Sequence, residues 1–269
     1  MPLQINKMAR YFLEVAYDGS MYGGFQIQKN TITIQGELEK ALKIFFKIPV
    51  VLTGSSRTDA GVHARQNFFH ADFPFSIKVS SEKAAYHINA ILPPDIALKS
   101  ITPVSENAHC RFDALSRTYY YYIYQQKDPF LRKGAYFYPY PINQELINSY
   151  ATCLLQVTNF KSFSKKHSNV GTFNCKLSHS QWSLITKGVY RYEVQGNRFL
   201  RGMVRGLVGT MLKFNRGPNA GLDNFKAHVL SHEPSNSDFS PPGVGLTLEK
   251  IAYAKHIWST TKDKLENLY

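Results

Sequence analysis

The sequence has few cysteines and no long apolar run. Its three cysteines, Cys110, Cys153 and Cys175, are widely spaced and form no C-x-x-C pair. This pattern predicts neither a disulfide framework nor a cysteine-based zinc site. No stretch approaches the roughly 18 apolar residues that a membrane helix needs, and residues 1–10 lack the apolar core of a secretion signal. We therefore expect a cytoplasmic protein that does not enter a membrane.

Acidic residues are also scarce. The chain has 19 Asp and Glu against 32 Lys and Arg, which gives a formal net charge of +13. Residues 146–222 contain eleven Lys or Arg and one acid, Glu193, so this stretch supplies ten of the thirteen net charges. A basic patch attracts polyanions, and nucleic acid is therefore the favoured class of partner. A solvated, lysine-rich surface is the alternative.

Motifs of several enzyme classes are absent. The glycine pairs lack the G-x-x-x-x-G-K-[ST] form that holds ATP phosphates, and no G-x-S-x-G motif is present. His63, His70 and His109 lack a spacing typical of metal ligands. These absences argue against an ATP-binding loop, a serine nucleophile of that type and a metal centre.

The residues that are present indicate a globular protein, with 43% hydrophobic and 14% aromatic residues. We predict N-caps at Thr33 and Ser81, and an end to the first helix at Pro49. The predicted strands are 8–17, 48–53, 67–73, 110–124, 181–187 and 189–195; the predicted helices are 34–46, one from residue 81 towards Pro93, 143–155 and 198–214; and 161–180 is a predicted loop or hairpin. This order favours an α+β fold with antiparallel sheets. We expect two domains, residues 1–108 and 109–269.

Residues 54–66 are the most informative stretch, because they place an acid, two arginines, a histidine and two glycines between apolar segments. Arg57 precedes Asp59 by two residues. An arginine close to a carboxylate keeps it ionised, and an ionised carboxylate can act as a nucleophile or a general base. An isolated Asp beside a glycine is more often a turn residue. Asp72 is predicted on the far side of a strand, so we favour a single catalytic acid over a glycosidase-like pair.

Two further stretches offer binding chemistry. In 198–214, Arg198, Arg201 and Arg205 form a basic stripe beside an apolar stripe and a row of glycines. A helix of this kind can bury one face, accept a close backbone approach and direct arginines at an anion; a core helix with exposed arginines is the alternative. The tyrosines at 119–122 alternate across a strand, so two should lie on each face. Packing is their usual role, although an aromatic ring can also stack on an unpaired base.

Several short motifs occur along nearly the whole chain: Tyr17-Asp18-Gly19, Gly24-Phe25-Gln26, Arg57-Thr58-Asp59-Ala60-Gly61-Val62-His63-Ala64, Arg117-Thr118-Tyr119 and Asn197-Arg198-Phe199-Leu200. In this order and spacing, they resemble the TruA family of tRNA pseudouridine synthases. The resemblance implies a pseudouridine synthase fold, in which two α+β domains with antiparallel or mixed sheets, flanked by helices, surround a basic cleft. It also implies a homodimer without cofactor or metal that acts on uridines 38, 39 and 40 of the tRNA anticodon stem-loop.

The resemblance also implies roles for individual residues. Asp59 would be the catalytic aspartate, Tyr119 would stack on the target base and take part in proton transfer, and Arg205 would pair with the aspartate. The remaining residues expected to bind substrate are Arg57, His63, Arg198 and Arg201. Departures from the family pattern are Ser56 in place of glycine, Phe25 in place of tryptophan, and one extra residue within 240–246. They are expected to affect loop geometry more than activity.

Two other functions stay open at this point. An RNA-binding or chaperone module with the same basic patch would bind RNA without forming pseudouridine. A nucleoside hydrolase that resembles a glycosidase would release free uracil.

Overall fold

The computed structural model describes residues 8–165, 171–218 and 220–258. The chain forms two compact units: unit 1 comprises Met1–Leu115 and Lys250–Tyr269, and unit 2 comprises Ser116–Glu249. The chain therefore passes between the units twice, whereas the sequence led us to expect one boundary after residue 108. The assignment of separate roles to two domains stays a prediction. None of the described helices is both long enough and apolar enough to cross a membrane.

Unit 1 is built on strand β1, which pairs antiparallel with β3 on one side and with β4 on the other. Its elements are β1 (Ala9–Tyr17), α1 (Ile34–Phe46), β2 (Thr53–Gly54), β3 (His63–Phe73), α2 (Ser81–Asn89) and β4 (Ile96–Pro103). The core of the unit contains the fully buried side chains of Phe12, Leu13 and Phe69. The predicted strand at 8–17 is confirmed.

The first helix confirms the predicted pattern. Leu38, Ala41 and Leu42 are buried, and the Thr33 side chain accepts a hydrogen bond from the Gly36 N–H, as expected of an N-cap. The predicted helix 34–46 is confirmed in both bounds, although Lys47 and not Pro49 ends it. Lys47 adopts a left-handed conformation with φ 60°, so the helix already ends at Phe46.

Other predicted boundaries in unit 1 need correction. The N-cap of α2 is Ser80, whose Oγ accepts a hydrogen bond from the Lys83 N–H, while the Ser81 Oγ accepts one from the Ile101 N–H. The strand predicted at 48–53 is reduced to β2. Strand β3 begins at His63, so residues 63–66 of the predicted polar loop are extended, and Ala64 pairs with Tyr17 of β1.

Unit 2 is an antiparallel arrangement in which β8 lies between β5 and β7, with β6 parallel to β5. The elements of this part of the chain are β5 (Ala114–Tyr124), β6 (Tyr136–Phe137), α3 (Gln144–Cys153), β7 (Leu177–Thr186), β8 (Val189–Gly196), α4 (Met203–Arg216), α5 (Leu222–Leu230) and β9 (Leu246–Tyr253). The first half of β9 belongs to unit 2 and the second half to unit 1. The predicted α+β class, with sheets flanked by helices, is confirmed.

In unit 2, predictions that depend on residues close together in the sequence are confirmed. The hairpin around residue 188 is confirmed, and Gly188 has the positive φ of 74° that favours glycine. The helix predicted at 143–155 is present as α3, followed by a 3₁₀ turn over Leu154–Gln156. Strand β7 begins at Leu177, inside the predicted loop 161–180, of which 166–170 lie outside the described residues. Strand β5 begins at Ala114, four residues later than predicted, because residues 110–113 form a turn.

The helix predicted at 198–214 begins only at Met203. Gly202 precedes it with a φ of 71°, so Arg198 and Arg201 lie before the helix and do not form a stripe with Arg205. The predicted close backbone approach is confirmed at Gly209, where an added Cβ would lie 2.3 Å from the carbonyl oxygen of Asp238.

Candidate active site

Asp59 lies in the loop between β2 and β3 of unit 1, and it is half-buried. Its backbone is closely held: the Val62 N–H donates to the Asp59 carbonyl oxygen (3.2 Å), and the Phe25 N–H donates to the carbonyl of Thr58 (3.1 Å). Gly61 has a φ of 75°, which explains a glycine two residues after the acid. The loop therefore holds a partly accessible carboxylate on a fixed backbone.

The residues before this loop approach it too closely for larger side chains. An added Cβ on Gly24 would lie 3.0 Å from the carbonyl oxygen of Thr58, and Gly24 itself has a φ of 113°. An added Cβ on Gly19 would lie 2.0 Å from the carbonyl oxygen of Val62. Both glycines belong to the motifs that carry the family resemblance. Their role in the structure is to let segment 19–24 pack against the aspartate loop.

The predicted substrate-binding residues of unit 1 differ in exposure. Arg57 is exposed, whereas His63 is buried. The His63 Nδ1 accepts the Gly19 N–H (3.2 Å) and lies 3.1 Å from a carboxylate oxygen of Asp18. Burial works against ionisation of Asp18, but hydrogen bonds from Ser20 and the interaction with His63 bring its pKa below the ordinary value. His63 thus anchors the turn at 18–19, and its role in substrate binding stays a prediction.

Two polar side chains hydrogen bond to the loop: Asn67, which was not identified from the sequence, and Tyr17, which was noted only as part of a motif. Asn67, on β3, is completely buried, and its Nδ2 donates to the carbonyl of Ser56 (3.0 Å) and to the Tyr17 hydroxyl (3.1 Å). The Tyr17 hydroxyl is also hydrogen bonded to the Thr58 Oγ1 (2.9 Å). The signal that could have identified Asn67 is a polar amide side chain directly before the apolar pair Phe68-Phe69.

Two of the three departures from the family pattern, Ser56 and Phe25, fit this geometry. Among described residues, the non-glycine positions with positive φ are Asn30, Lys47 and His232, so the backbone at Ser56 does not need glycine. Phe25 is buried and stacks on Phe69, with the ring centroids 4.6 Å apart. It also covers Gly54, where an added Cβ would lie 2.0 Å from the phenyl ring.

In unit 2, the tyrosines at 119–122 alternate as predicted. Tyr119 and Tyr121 are buried, whereas Tyr120 and Tyr122 are half-buried on the opposite face of β5. The Tyr119 ring meets Phe199 edge to face, with the centroids 5.1 Å apart. The Tyr121 hydroxyl donates to the carbonyl of Pro242 (2.8 Å). Tyr119 is therefore an oriented ring within a packed strand.

Arg205 lies in the first turn of α4. Its Nε donates to the carbonyl of Pro241 (2.6 Å) and its Nη2 to the carbonyl of Phe239 (3.1 Å). These bonds attach segment 239–241 to the helix. Arg198 is half-buried and Arg201 is exposed. The predicted pairing of Arg205 with the aspartate, and the predicted substrate contacts of Arg198 and Arg201, stay predictions.

One cluster was not expected from the spacing of the histidines. One ligand-type atom from each of His70, His109 and Cys110 lies within 4.8 Å of the others. Hydrogen bonds engage all three residues: the Cys110 Sγ lies 3.2 Å from His70 Nδ1 and donates to the Thr53 carbonyl, and His109 Nδ1 accepts the Arg111 N–H. An Nδ1 that accepts an amide N–H leaves the proton of a neutral ring on Nε2. We therefore interpret this as a hydrogen-bonded cluster that joins β3 to the segment before β5.

Comparison with known proteins is consistent with the sequence motifs. A family model described as tRNA pseudouridine synthase matches residues 157–254. The chain is 37% identical to tRNA pseudouridine synthase A of Porphyromonas gingivalis over 253 residues, covering 93% of this chain and 100% of that protein. The protein of the same name from Bacteroides fragilis is 39% identical over 249 residues (93% and 98%), and that from Bacillus velezensis is 34% identical over 245 residues (89% and 97%). Because such similarity extends over nearly the full length of both chains, this protein belongs to the tRNA pseudouridine synthase A (TruA) family of isomerases.

Proposed function

We propose that this protein isomerises uridine to pseudouridine at positions 38, 39 and 40 of the tRNA anticodon stem-loop, with Asp59 as the catalytic carboxylate. The observation that carries the proposal is the complete motif 57–64, held on a closely bonded loop in a chain that matches its relatives over nearly their full length. The wide basic stretch 146–222 supports a polyanionic substrate.

The proposed reaction needs no redox partner. The Asp59 carboxylate adds to the target nucleoside and the bond between ribose C1′ and base N1 breaks. The detached base rotates, its C5 bonds to C1′, the proton on C5 is removed, and N1 gains a proton. The carboxylate is released unchanged, so substrate and product are isomers. The same bonds and protons are exchanged overall whether the carboxylate first attacks the ribose or the pyrimidine ring.

The other predicted residues serve the same nucleotide in this proposal. Extruding a base from its stack costs a few kcal/mol, which contacts to the flipped nucleotide must offset. Tyr119 stacks on the base and takes part in proton transfer, Arg57 helps to extrude the nucleotide, and Arg205 pairs with the carboxylate. Arg198 and Arg201, together with His63, bind the surrounding RNA, where contacts to phosphates fix its position.

The proposal includes the finer assignments that the family resemblance implies. The protein acts as a homodimer in the cytoplasm and uses no cofactor or metal. The anticodon stem-loop is its site of action on tRNA.

The test compares Asp59→Asn with Asp72→Asn on unmodified tRNA, without added nucleotide or cofactor. Asp72 is a matched control because it is a unit 1 carboxylate outside the loop, where it pairs with Arg10 at 2.7 Å. We expect Asp59→Asn to abolish pseudouridine, measured by nucleoside mass spectrometry, and to bind tRNA with unchanged affinity. Asp72→Asn should keep wild-type activity.

Three results would contradict the proposal. Pseudouridine formed by a clean Asp59→Asn preparation would remove the assigned role of that residue. Wild-type protein that binds tRNA without modifying it would favour an RNA-binding module. Release of free uracil would favour a nucleoside hydrolase.

A further inference from the structure

We infer that Tyr17 and Asn67 are positioning residues, which hold the loop that carries Asp59 in its reactive geometry. The inference rests on the proposed function, because it takes Asp59 to be the reacting carboxylate. It concerns two side chains that hydrogen bond to the loop from the strands on which it rests.

Asn67 forms the first of two hydrogen-bonded attachments between the strands and the aspartate loop. It is 0% exposed, and a buried amide is unfavourable unless it is hydrogen bonded. One amide nitrogen donates to both Ser56 and Tyr17, while the Oδ1 accepts the Phe68 N–H (2.9 Å). These partners fix which end of the amide is nitrogen, because only the NH₂ group can donate to the Ser56 carbonyl.

Tyr17 carries the second attachment. Its ring is buried, and its hydroxyl joins Asn67 to the Thr58 Oγ1. The pairing of β1 with β3 shifts register between Val15 and Tyr17, so that Val15 faces Asn67 and Tyr17 faces Ala64. Such an irregularity is typical of sites where a strand redirects side chains. Here it lies beside the loop.

The two attachments hold the short segment immediately before the reactive residue. Ser56 is three residues before Asp59, and Thr58 is its direct neighbour. Both bonds come from side chains on strands, so the segment is tied to the sheet. A misplacement of about 1 Å at a reacting group can reduce a rate by roughly 100-fold. Loss of either attachment should therefore slow the chemical step more than it weakens tRNA binding.

A purely stabilising role makes a different prediction. In that case, removal of the Tyr17 hydroxyl would lower the unfolding temperature and leave the rate of the folded enzyme unchanged. Tyr11 supplies the matched control, because it is a buried tyrosine on the same strand whose hydroxyl accepts the Ile77 N–H (2.9 Å), outside the aspartate loop. The comparison of Tyr17→Phe with Tyr11→Phe separates positioning from stability.

The experiment measures single-turnover rate, tRNA dissociation constant and unfolding temperature for wild type, Tyr17→Phe, Thr58→Val, the double variant and Tyr11→Phe. We expect Tyr17→Phe to slow the single-turnover reaction about 10-fold or more, with tRNA affinity within about twofold of wild type. Thr58→Val should also be slow. The double variant should lose less than the product of the two single losses, because both changes break one shared hydrogen bond.

Tyr11→Phe should lower the unfolding temperature and keep the wild-type rate. A wild-type rate in folded Tyr17→Phe, or equal slowing by Tyr11→Phe, would overturn the inference. If Tyr17→Phe does not fold, Thr58→Val decides in the same way, because a wild-type rate there overturns the inference and a slow rate supports it. An inactive wild type would instead refute the proposed function, so the two failures are distinguishable.

Discussion

His70 is a buried residue of β3 beside His109 and Cys110. Burial, with the nearby positive charge of Arg10 and the ring of His109, lowers the pKa of His70 to about 4. The unfolded chain has the ordinary histidine pKa near 6.5. As the pH falls from about 6.5 to about 4, the unfolded state therefore takes up this proton before the folded state does. The resulting stability is fully present above pH 6.5 and is lost through this window.

We predict that His70→Asn flattens the dependence of unfolding free energy on pH between pH 6.5 and 4.5. The lost contribution should be roughly 2 kcal/mol. Urea unfolding at several pH values measures it, with His87→Asn, an exposed histidine on α2, as the control that keeps the wild-type slope. An unchanged slope in His70→Asn would show that other groups cause the acid sensitivity.

At the scale of elements, α4 depends on its glycines. Gly209 faces the backbone of the segment that Arg205 holds, and an added Cβ would lie 2.3 Å from the Asp238 carbonyl oxygen and 2.8 Å from the Pro241 ring. Alanine is favoured over glycine inside a helix by about 1 kcal/mol. A clash with backbone cannot be relieved by rotating a side chain, and overpacking costs about 1–3 kcal/mol. The clash should outweigh the gain in helix propensity.

We therefore predict that Gly209→Ala lowers the free energy of unfolding by about 1 kcal/mol, which is the overpacking cost less the gain in helix propensity. Gly134→Ala is the control, because no atom lies within 4 Å of its added Cβ. Chemical denaturation measures both variants. A Gly209→Ala protein as stable as wild type would mean that segment 238–241 moves aside without cost.

At the scale of the whole molecule, we expect the net charge of +13 to be the main force that attracts RNA to the protein. Each phosphate contact releases counterions, so affinity falls steeply as salt rises. We predict that the tRNA dissociation constant rises by about 100-fold or more between 50 and 200 mM salt. Fluorescence anisotropy with labelled tRNA measures this, at constant pH and magnesium. A change below about threefold would indicate that the basic stretch 146–222 is not the RNA-binding surface.

Much of the fold could be predicted from the sequence because it depends on near neighbours. The apolar spacing of α1 with its cap at Thr33, the turn at Gly188 and the alternation of Tyr119 to Tyr122 are set within a few residues. Errors arose where tertiary pairing extends or shortens an element. Residues 63–66 look polar and loop-like, yet they belong to β3, where Ala64 pairs with Tyr17 of β1. Gly202 delays the start of α4 despite a continuous helical pattern.

The sequence by itself determined the composition of the candidate site and the family, since the order of motifs around Asp59 needs no coordinates. Only the tertiary structure decided what supports that residue. The bonds of Asn67 to Ser56 and Tyr17 join positions 11 and 50 residues apart, and the cluster of His70 with Cys110 spans 40. Contacts at such separations are set by strand pairing and burial, which local sequence patterns do not encode.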